Sequence, residues 1–296
     1  MRFAARGMTR GRFDPIAIEE LAGSDRFALE RECRAQVQPV YLGDHTALCR
    51  ILGRYKFYVD TRDQGFGSNV LLDGFWEMWL TKAMARVLKP GMVAVDIGAN
   101  FGYYTLLMAD IVGPTGTVIA VEPNPHAIPK LRASLGLNGF SGRTRVVQAA
   151  AGATATGAAR LYATLAEPKN ALVVQADFTA DPALATISTV PLWTADEAER
   201  EFGRIDFIKI DAEGAEMDVI AGLRPVLAKH APHLVLEFNA ARYRDAKGFL
   251  ADVCGLYPSL NYVDFSGDIA PVRQETVLTR QMGEDWLLFF PGKKRA

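Results

Sequence analysis

The chain has 296 residues, 33 Lys and Arg against 34 Asp and Glu, a formal net charge of -1, and 49% hydrophobic residues. That composition suits a folded globular chain with a full apolar core, and its charge balance gives no bulk support to a nucleic-acid or anionic-membrane partner. No apolar run approaches the ~18 residues of a membrane span, and the basic N-terminus MRFAARGMTRGRFDP lacks the apolar stretch of a secretory signal. Cys33, Cys49 and Cys254 are scattered and lack C-x-x-C spacing, which favours reduced thiols and a cytoplasmic chain.

Residues 1 to about 14 are rich in Arg and Gly and read as a mobile tail. Asp14 to about Gln38 is compatible with one or two helices. "LCRILGRYKFYVD" (Leu48 to Asp60) reads as one or two short strands. "FWEMWLTKAMARVL" places Trp76, Trp79, Leu80, Ala83, Met84 and Val87 on one helical face, and "KPG" (Lys89 to Gly91) ends that helix. The chain then alternates. "MVAVDI" is a strand, followed by a helix from about Phe101 to Asp110. "TVIAVEP" is the next, followed by a helix from about Pro125 to Leu137 with Asn124 as its N-cap. "RTRVVQA" is a third strand. "IDFIKID" is a fourth, and the helix after it has Met217, Ile220, Leu223 and Leu227 on one face. "HLVLEF" leads into a helix from about Ala240 to Leu256, and "LNYVDF" and "DWLLFF" are two closing strands. Such alternation implies an α/β fold, a Rossmann-like, mostly parallel sheet with helices on both faces. Residues 1–70 form a small helical and β extension before it. Residues 71–296 form the main domain, with 152–194 inserted as short extended pieces hanging over the site.

Ligands of such sheets meet the carboxyl ends of the strands. A dinucleotide fold wants G-x-G-x-x-G aimed at a pyrophosphate. Here the turn is Asp96-x-Gly98-x-Asn100-x-Gly102, with Asn100 where a glycine would stand. The other strand ends give Glu122, then Asp211 and Glu213, then Glu237 and Asn239. Acids converging on one rim suit a ligand with positive charge and hydroxyls, and S-adenosylmethionine has a sulfonium, an ammonium and a ribose diol. Asp96 is expected to face the amino group, Gly98 and Gly102 to let the backbone come close, and Glu122 to take both ribose hydroxyls. Lys209 alternates with Ile208 and Ile210 and reads as a structural ion-pair partner. Glu216 reads as a helix-surface or buried-pair residue, and Glu77, just before the first strand of the sheet, is harder to dismiss.

"VAVDIGANFGYYT", "VIAVEPNP" and "IDFIKIDAEGAEMDVIAGL" together resemble the FkbM-type family of S-adenosylmethionine-dependent methyltransferases. The upstream "VDTRD…LDGFWE…LKPGM" is similar to that family's approach segment, so the resemblance runs from about Asp60 to Asn239. It implies a seven-stranded methyltransferase sheet and O-methylation of a hydroxyl on a sugar, glycan or secondary metabolite. Where the family tends to have a Ser/Gly-rich stretch, this chain has "PKNALV" (Pro168 to Val173). The cofactor wall is expected from Asp96, Gly98, Ala99, Asn100, Gly102, Thr105, Glu122, Pro123, Asn124, Gln148 and Ala149. Asp211, then Glu213 and Glu237, are the candidate general bases. A divalent metal on Asp211, Glu237 and Asn239 is the less favoured alternative. The rival functions are a nicotinamide-dependent sugar-modifying enzyme and a non-catalytic cofactor-binding module. The acceptor is expected to be a small molecule or glycan with a hydroxyl, with no nucleic acid, and a homodimer stays open.

Overall fold

The structure, a computed structural model, describes residues 14–164, 166, 171–174, 177–279 and 285–293. The tail expected at 1–13 and the Pro168–Asn170 part of "PKNALV" lie outside the described residues. The chain opens with α1 (Ile18–Gly23) and α2 (Arg26–Gln36), the latter capped by the Asp25 carboxylate accepting from Ala28 N. Strands β1 (Val40–Gly43), β2 (Thr46–Ile51) and β3 (Tyr55–Asp60) form a three-stranded antiparallel sheet. Leu52 and Gly53 both have positive φ in the three-residue β2–β3 connection, where Arg54 N donates to Ile51 O. Helices α3 (Phe66–Asp73) and α4 (Met78–Val87) follow. Trp76, expected on the face of α4, lies before its first turn.

The alternating region gives β4 (Val93–Ile97), α5 (Tyr103–Val112), β5 (Thr117–Val121), α6 (Ile128–Leu137) and β6 (Thr144–Val147). The insertion builds β7 (Ala150–Ala151), β8 (Ala158–Thr164), β9 (Ala171–Val174) and β10 (Ala185–Trp193) into a separate four-stranded sheet in the order β7-β10-β8-β9. Then come α7 (Asp196–Phe202), β11 (Phe207–Ile210), α8 (Glu216–His230), β12 (His233–Phe238), α9 (Ala246–Cys254), β13 (Asn261–Val263), β14 (Ile269–Pro271), α10 (Gln274–Thr279) and β15 (Trp286–Phe290).

The main sheet has eight strands in the order β14-β13-β15-β12-β11-β4-β5-β6, not the seven expected. Strands β6, β5, β4, β11 and β12 run parallel, and β15, β13 and β14 add antiparallel pairings. The extra strand is β14, in the turn-rich stretch between the two closing strands. Asp264 makes it a hairpin by accepting from Ser266 N and Asp268 N. Three local expectations are also corrected. Helix α6 starts at Ile128, because the Asn124 carboxamide accepts from His126 N and forms a short turn instead of a cap. A 3-10 turn at Ala240–Arg242 precedes α9, which starts after Asp245 caps Gly248 N. Met217 is 41% exposed, while Ile220, Leu223 and Leu227 are buried.

Both faces of the sheet are covered. Ala94, Val118, Ala120, Phe207 and Val235 pack toward α5, α6 and the N-terminal segment, whose Ile16, Leu21, Leu29 and Phe57 belong to the same continuous core. Val95, Ile97, Ile119, Ile208, Ile210, Leu234 and Leu236 pack toward α8 and α9. The near-continuous apolar runs of β4, β5 and β11 follow from burial on both faces. Cys33 and Cys49 are buried free thiols, and burial pushes each up to about 12.

Tyr103, at the start of α5, ties the N-terminal segment to the sheet. Its hydroxyl accepts from Trp76 N at 3.0 Å and pairs with Thr81 Oγ1 at 3.3 Å. Its ring meets Phe57, Phe66 and Tyr104 edge-on. Tyr103→Phe leaves the Trp76 N–H without that partner and is expected to cost about 1–3 kcal/mol. Urea unfolding measures it, and an unchanged midpoint would remove Tyr103 from this role.

Candidate active site

The turn after β4 is held by its own hydrogen bonds. Gly98 N and Ala99 N donate to Val121 O, and Gly102 N donates to Ala99 O. Asn100 N donates to Glu122 Oε2 at 2.7 Å, and Phe101 N donates to Asn100 Oδ1 at 2.8 Å. Every amide from 98 to 102 is therefore engaged inside the protein. Gly98 is required by packing, since at φ +75° a Cβ there would lie 1.8 Å from Asp211 O. Gly102 has φ +95° at the start of α5, a backbone that favours glycine, and a Cβ there would meet the Leu131 side chain of α6.

Glu122 closes the same turn from β5. Its Oε1 accepts from Asn124 N at 2.8 Å, so one carboxylate bridges two loop backbones. It is 7% exposed, and burial pushes it up to about 7 against those two N–H donors. It also lines an open cavity across the strand ends. One end of this cavity is made by Asp211, Ala212, Glu213 and Ala215, its middle by Ile97, Gly98, Asn100, Val121, Glu122 and Pro123, and its far end by Ala150, Ala151, Leu161, Ala171 and Val173.

At the acidic end, Lys209 is buried on β11 with its Nζ 3.1 Å from Asp211 Oδ2 and 3.9 Å from Asp96 Oδ1. Burial works against its charge, but Asp211 and Asp96 together hold its pKa above the ordinary lysine value. Burial likewise works to raise Asp211, and the Lys209 ammonium outweighs it and holds Asp211 below the ordinary carboxylate range. A third of the Asp211 side chain stays open. Asp96 is fully buried and accepts from Thr105 Oγ1 at 2.6 Å. Burial raises its pKa against Lys209 and Thr105. Lys209 also lies over the Tyr104 ring, whose hydroxyl donates to Glu77 Oε2 at 2.7 Å. Glu77 adopts a left-handed backbone, and burial pushes its carboxyl up to about 7.

Behind Asp211 lies a second group. Arg242 Nη1 donates to Glu237 Oε2 at 2.9 Å, and its Nη2 lies 3.2 Å from Asp285 and 3.7 Å from Glu213. Burial first, then the Asp211 and Asp285 charges, push Glu237 up to about 9. The Asn239 side chain accepts from Ala241 N and donates to Asp285. Glu216 is fully buried. Its Oε1 accepts from Ala212 N and Gly214 N, and its Oε2 accepts from the Tyr243 hydroxyl, which fixes the turn that carries Asp211 and Glu213. The Asp211, Glu237 and Asn239 set does not fit a divalent metal, because Arg242 already occupies Glu237 and Asn239 braces its own loop. Among the described residues no group of His, Cys, Asp and Glu is arranged to hold one.

The expected residues thus divide. Gly98, Asn100, Glu122, Pro123, Asp211 and Glu213 line the cavity. Asp96, Ala99, Gly102, Thr105, Asn124 and Ala149 are buried and support it from behind, and Gln148 is exposed beside it. Asp96, expected to face the amino group directly or through water, is buried 3.9 Å from Lys209 Nζ and does not itself line the cavity. Glu237 stands behind Asp211. Sequence reading missed Arg242, Tyr104, Asp285 and the hairpin residues Leu161 and Val173. Only the short step from Glu237 to Arg242 offered a signal.

Glu77 and Glu122 generate a pH prediction. A carboxyl raised from 4.5 to about 7 by folding stabilises the fold fully below its unfolded value, and that contribution is lost as pH rises through about 7. The unliganded protein is expected to melt at a lower temperature at about pH 8 than at about pH 5. Glu77→Gln with Glu122→Gln should narrow the difference. A slope unmoved by the substitutions would contradict these assignments.

The pattern described as the Methyltransferase FkbM domain matches residues 96–274. The chain is 39% identical over 59 residues, 20% of its length, to the protein-L-isoaspartate O-methyltransferase of Aeropyrum pernix. It is 38% identical over 48 residues, 16% of its length, to that of Methanothrix thermoacetophila. Each alignment spans only 23% of the relative's own length. Among solved structures, the FkbM methyltransferase of Methylobacillus flagellatus matches at a TM-score of 0.41 and 16% identity, over 73% of this chain and 54% of that one. With more than half of its length inside the matched pattern, the chain belongs to the FkbM methyltransferase domain family.

Proposed function

We propose that this protein transfers a methyl group from S-adenosylmethionine to a hydroxyl oxygen on a sugar, glycan or hydroxylated small molecule. The observation that carries the reading is the glycine turn. With the amides of Gly98 to Gly102 all engaged internally, the turn offers no cradle to a pyrophosphate. The cavity instead runs from carboxylates at Asp211 and Glu213, past Glu122, to an apolar end. That order suits a ligand that is cationic at one end, a diol in the middle and aromatic at the other.

When bound, S-adenosylmethionine supplies an electrophilic methyl on its sulfonium. Glu122 accepts from the ribose hydroxyls with the oxygen lone pairs left by Asn100 N and Asn124 N. Asp211, held charged by Lys209 and open to the cavity, accepts from the acceptor hydroxyl, orients it and receives its proton. Glu237, raised by burial and by the Asp211 and Asp285 charges and engaged by Arg242, stands behind Asp211 and is not the first choice of base. Much of the acceleration comes from this alignment of donor and acceptor.

S-adenosylhomocysteine and S-adenosylmethionine should each raise the melting temperature, and NAD should not. Stabilisation by NAD alone would overturn the reading of the turn. Glu122→Gln keeps the size and one acceptor oxygen, so it releases only one of Asn100 N and Asn124 N where Ala would release both. It should weaken S-adenosylhomocysteine binding by about 1–3 kcal/mol, and unchanged affinity would place the ribose elsewhere.

Asp211→Asn keeps the size and one acceptor oxygen but loses the charge. Label transfer from S-adenosylmethionine to a panel of glycans and hydroxylated metabolites should fall by about 10²-fold or more, with S-adenosylhomocysteine affinity changing far less. EDTA should leave wild-type transfer unchanged. Near-normal transfer by the variant would remove Asp211 from the chemistry, and loss with EDTA would restore a metal.

A further inference from the structure

We propose that the β8–β9 hairpin of the insertion forms the wall of the purine subsite, with Leu161 and Val173 as the contacting pair. The inference rests on the reading of Glu122 as the ribose ligand. The cavity-lining residues follow the strand order, with Asp211 after β11, Gly98 after β4 and Glu122 after β5. A nucleoside whose ribose sits at Glu122 and whose sulfur end points to Asp211 must carry its base away from Asp211. The residues in that direction are Ala150 and Ala151 of β7 with Leu161, Ala171 and Val173 of the hairpin.

Their geometry suits a flat aromatic ring. Leu161 and Val173 are direct cross-strand partners, and Ala163 pairs with Ala171 in the same ladder. Strand alternation puts Ala171 and Val173 on one face of β9 and Leu172 on the other, and only the first two line the cavity. Leu161 is 1% exposed, whereas Val173 is 49% exposed, a branched apolar side chain at the cavity with half its surface uncovered. Ala150, Ala151 and Ala171 are the small residues that line the cavity beside this pair.

The hairpin is fixed to the body of the protein. β10 pairs antiparallel with β8, and parallel with β7 through Leu192↔Ala150 and Trp193↔Ala151. Helix α8 approaches so closely that a Cβ on Gly222 would lie 2.0 Å from Gly152 O. The wall therefore stands at a set distance from Glu122. Burying Val173 against a purine removes apolar surface from water on both partners.

The test is calorimetric binding of S-adenosylhomocysteine and of adenosine to the full chain. Val173→Asp puts a charge against the ring and should weaken both ligands by at least about tenfold. Leu172→Asp, on the opposite face and 45% exposed, should change both by less than about twofold. Val173→Thr keeps the shape and should give a smaller loss in the same direction, which keeps the test intact if the Asp variant does not fold. Unchanged S-adenosylhomocysteine binding by the Val173 variants, or equal losses at Val173 and Leu172, would overturn the proposal. So would a loss of S-adenosylhomocysteine with adenosine unaffected, because the hairpin would then face another part of the ligand. Wild-type protein that binds neither ligand would refute the donor reading itself, a result distinct from these.

Discussion

The buried ammonium of Lys209 is the constraint on which the site depends. Adjacent strands β4 and β11 bring Asp96 and Asp211 to one end of the sheet, and two carboxylates there repel each other and resist burial. Lys209, between them and over the Tyr104 ring, neutralises that repulsion. It costs desolvation of its own, so the arrangement gives position more than stability. The position is what matters: Asp96 stays inside, tied to Thr105 of α5, and Asp211 stays charged with part of its side chain open to the cavity. Removing Lys209 alone would leave two buried acids without their cation, a larger loss than removing the whole group.

The other acids divide into braces and contacts. Glu122 bridges the backbones of two loops, and Glu216 does the same for the turn after β11, with Tyr243 as a third partner. Arg242 gathers Glu237, Asp285 and Glu213. Carboxylates that look alike along the chain therefore do different work, and their pKa values are pushed apart accordingly. Asp211 is held low by a cation, and Glu237 beside it is held high by burial and by Asp211.

The alternation of strands and helices was legible because parallel strands buried on both faces are continuous apolar runs, as in β4, β5 and β11. The acids at the strand ends were legible for a related reason, since the strand end is where a charged residue first becomes tolerable. Which way each acid points was not legible. Asp96 pairs with Ala120 inside the ladder, where Thr105 and Lys209 hold it, whereas Glu122 stands two positions further out, just past the end of β5, and reaches the cavity. The strand β14 escaped notice because three residues, Ile269 to Pro271, leave no periodicity to read. The start of α6 was misplaced because Asn124 has two uses for its side chain, a helix cap or a local turn, and the sequence does not choose between them. The hairpin wall was hidden for a different reason. Leu161 and Val173 meet through pairing across an insertion, a long-range fact that no local pattern carries.

The central claim is that one ligand lies along the strand ends with its ribose at Glu122 and its sulfur beside Asp211. A crystal structure of the protein soaked with S-adenosylhomocysteine tests it most directly. The account predicts density along the cavity, with the ribose hydroxyls on the Glu122 carboxylate, the sulfur at the Asp211 end and the base against Ala150, Ala151 and the hairpin. A ligand lying in the opposite sense, with its homocysteine at Glu122, or one bound outside this cavity, would contradict it.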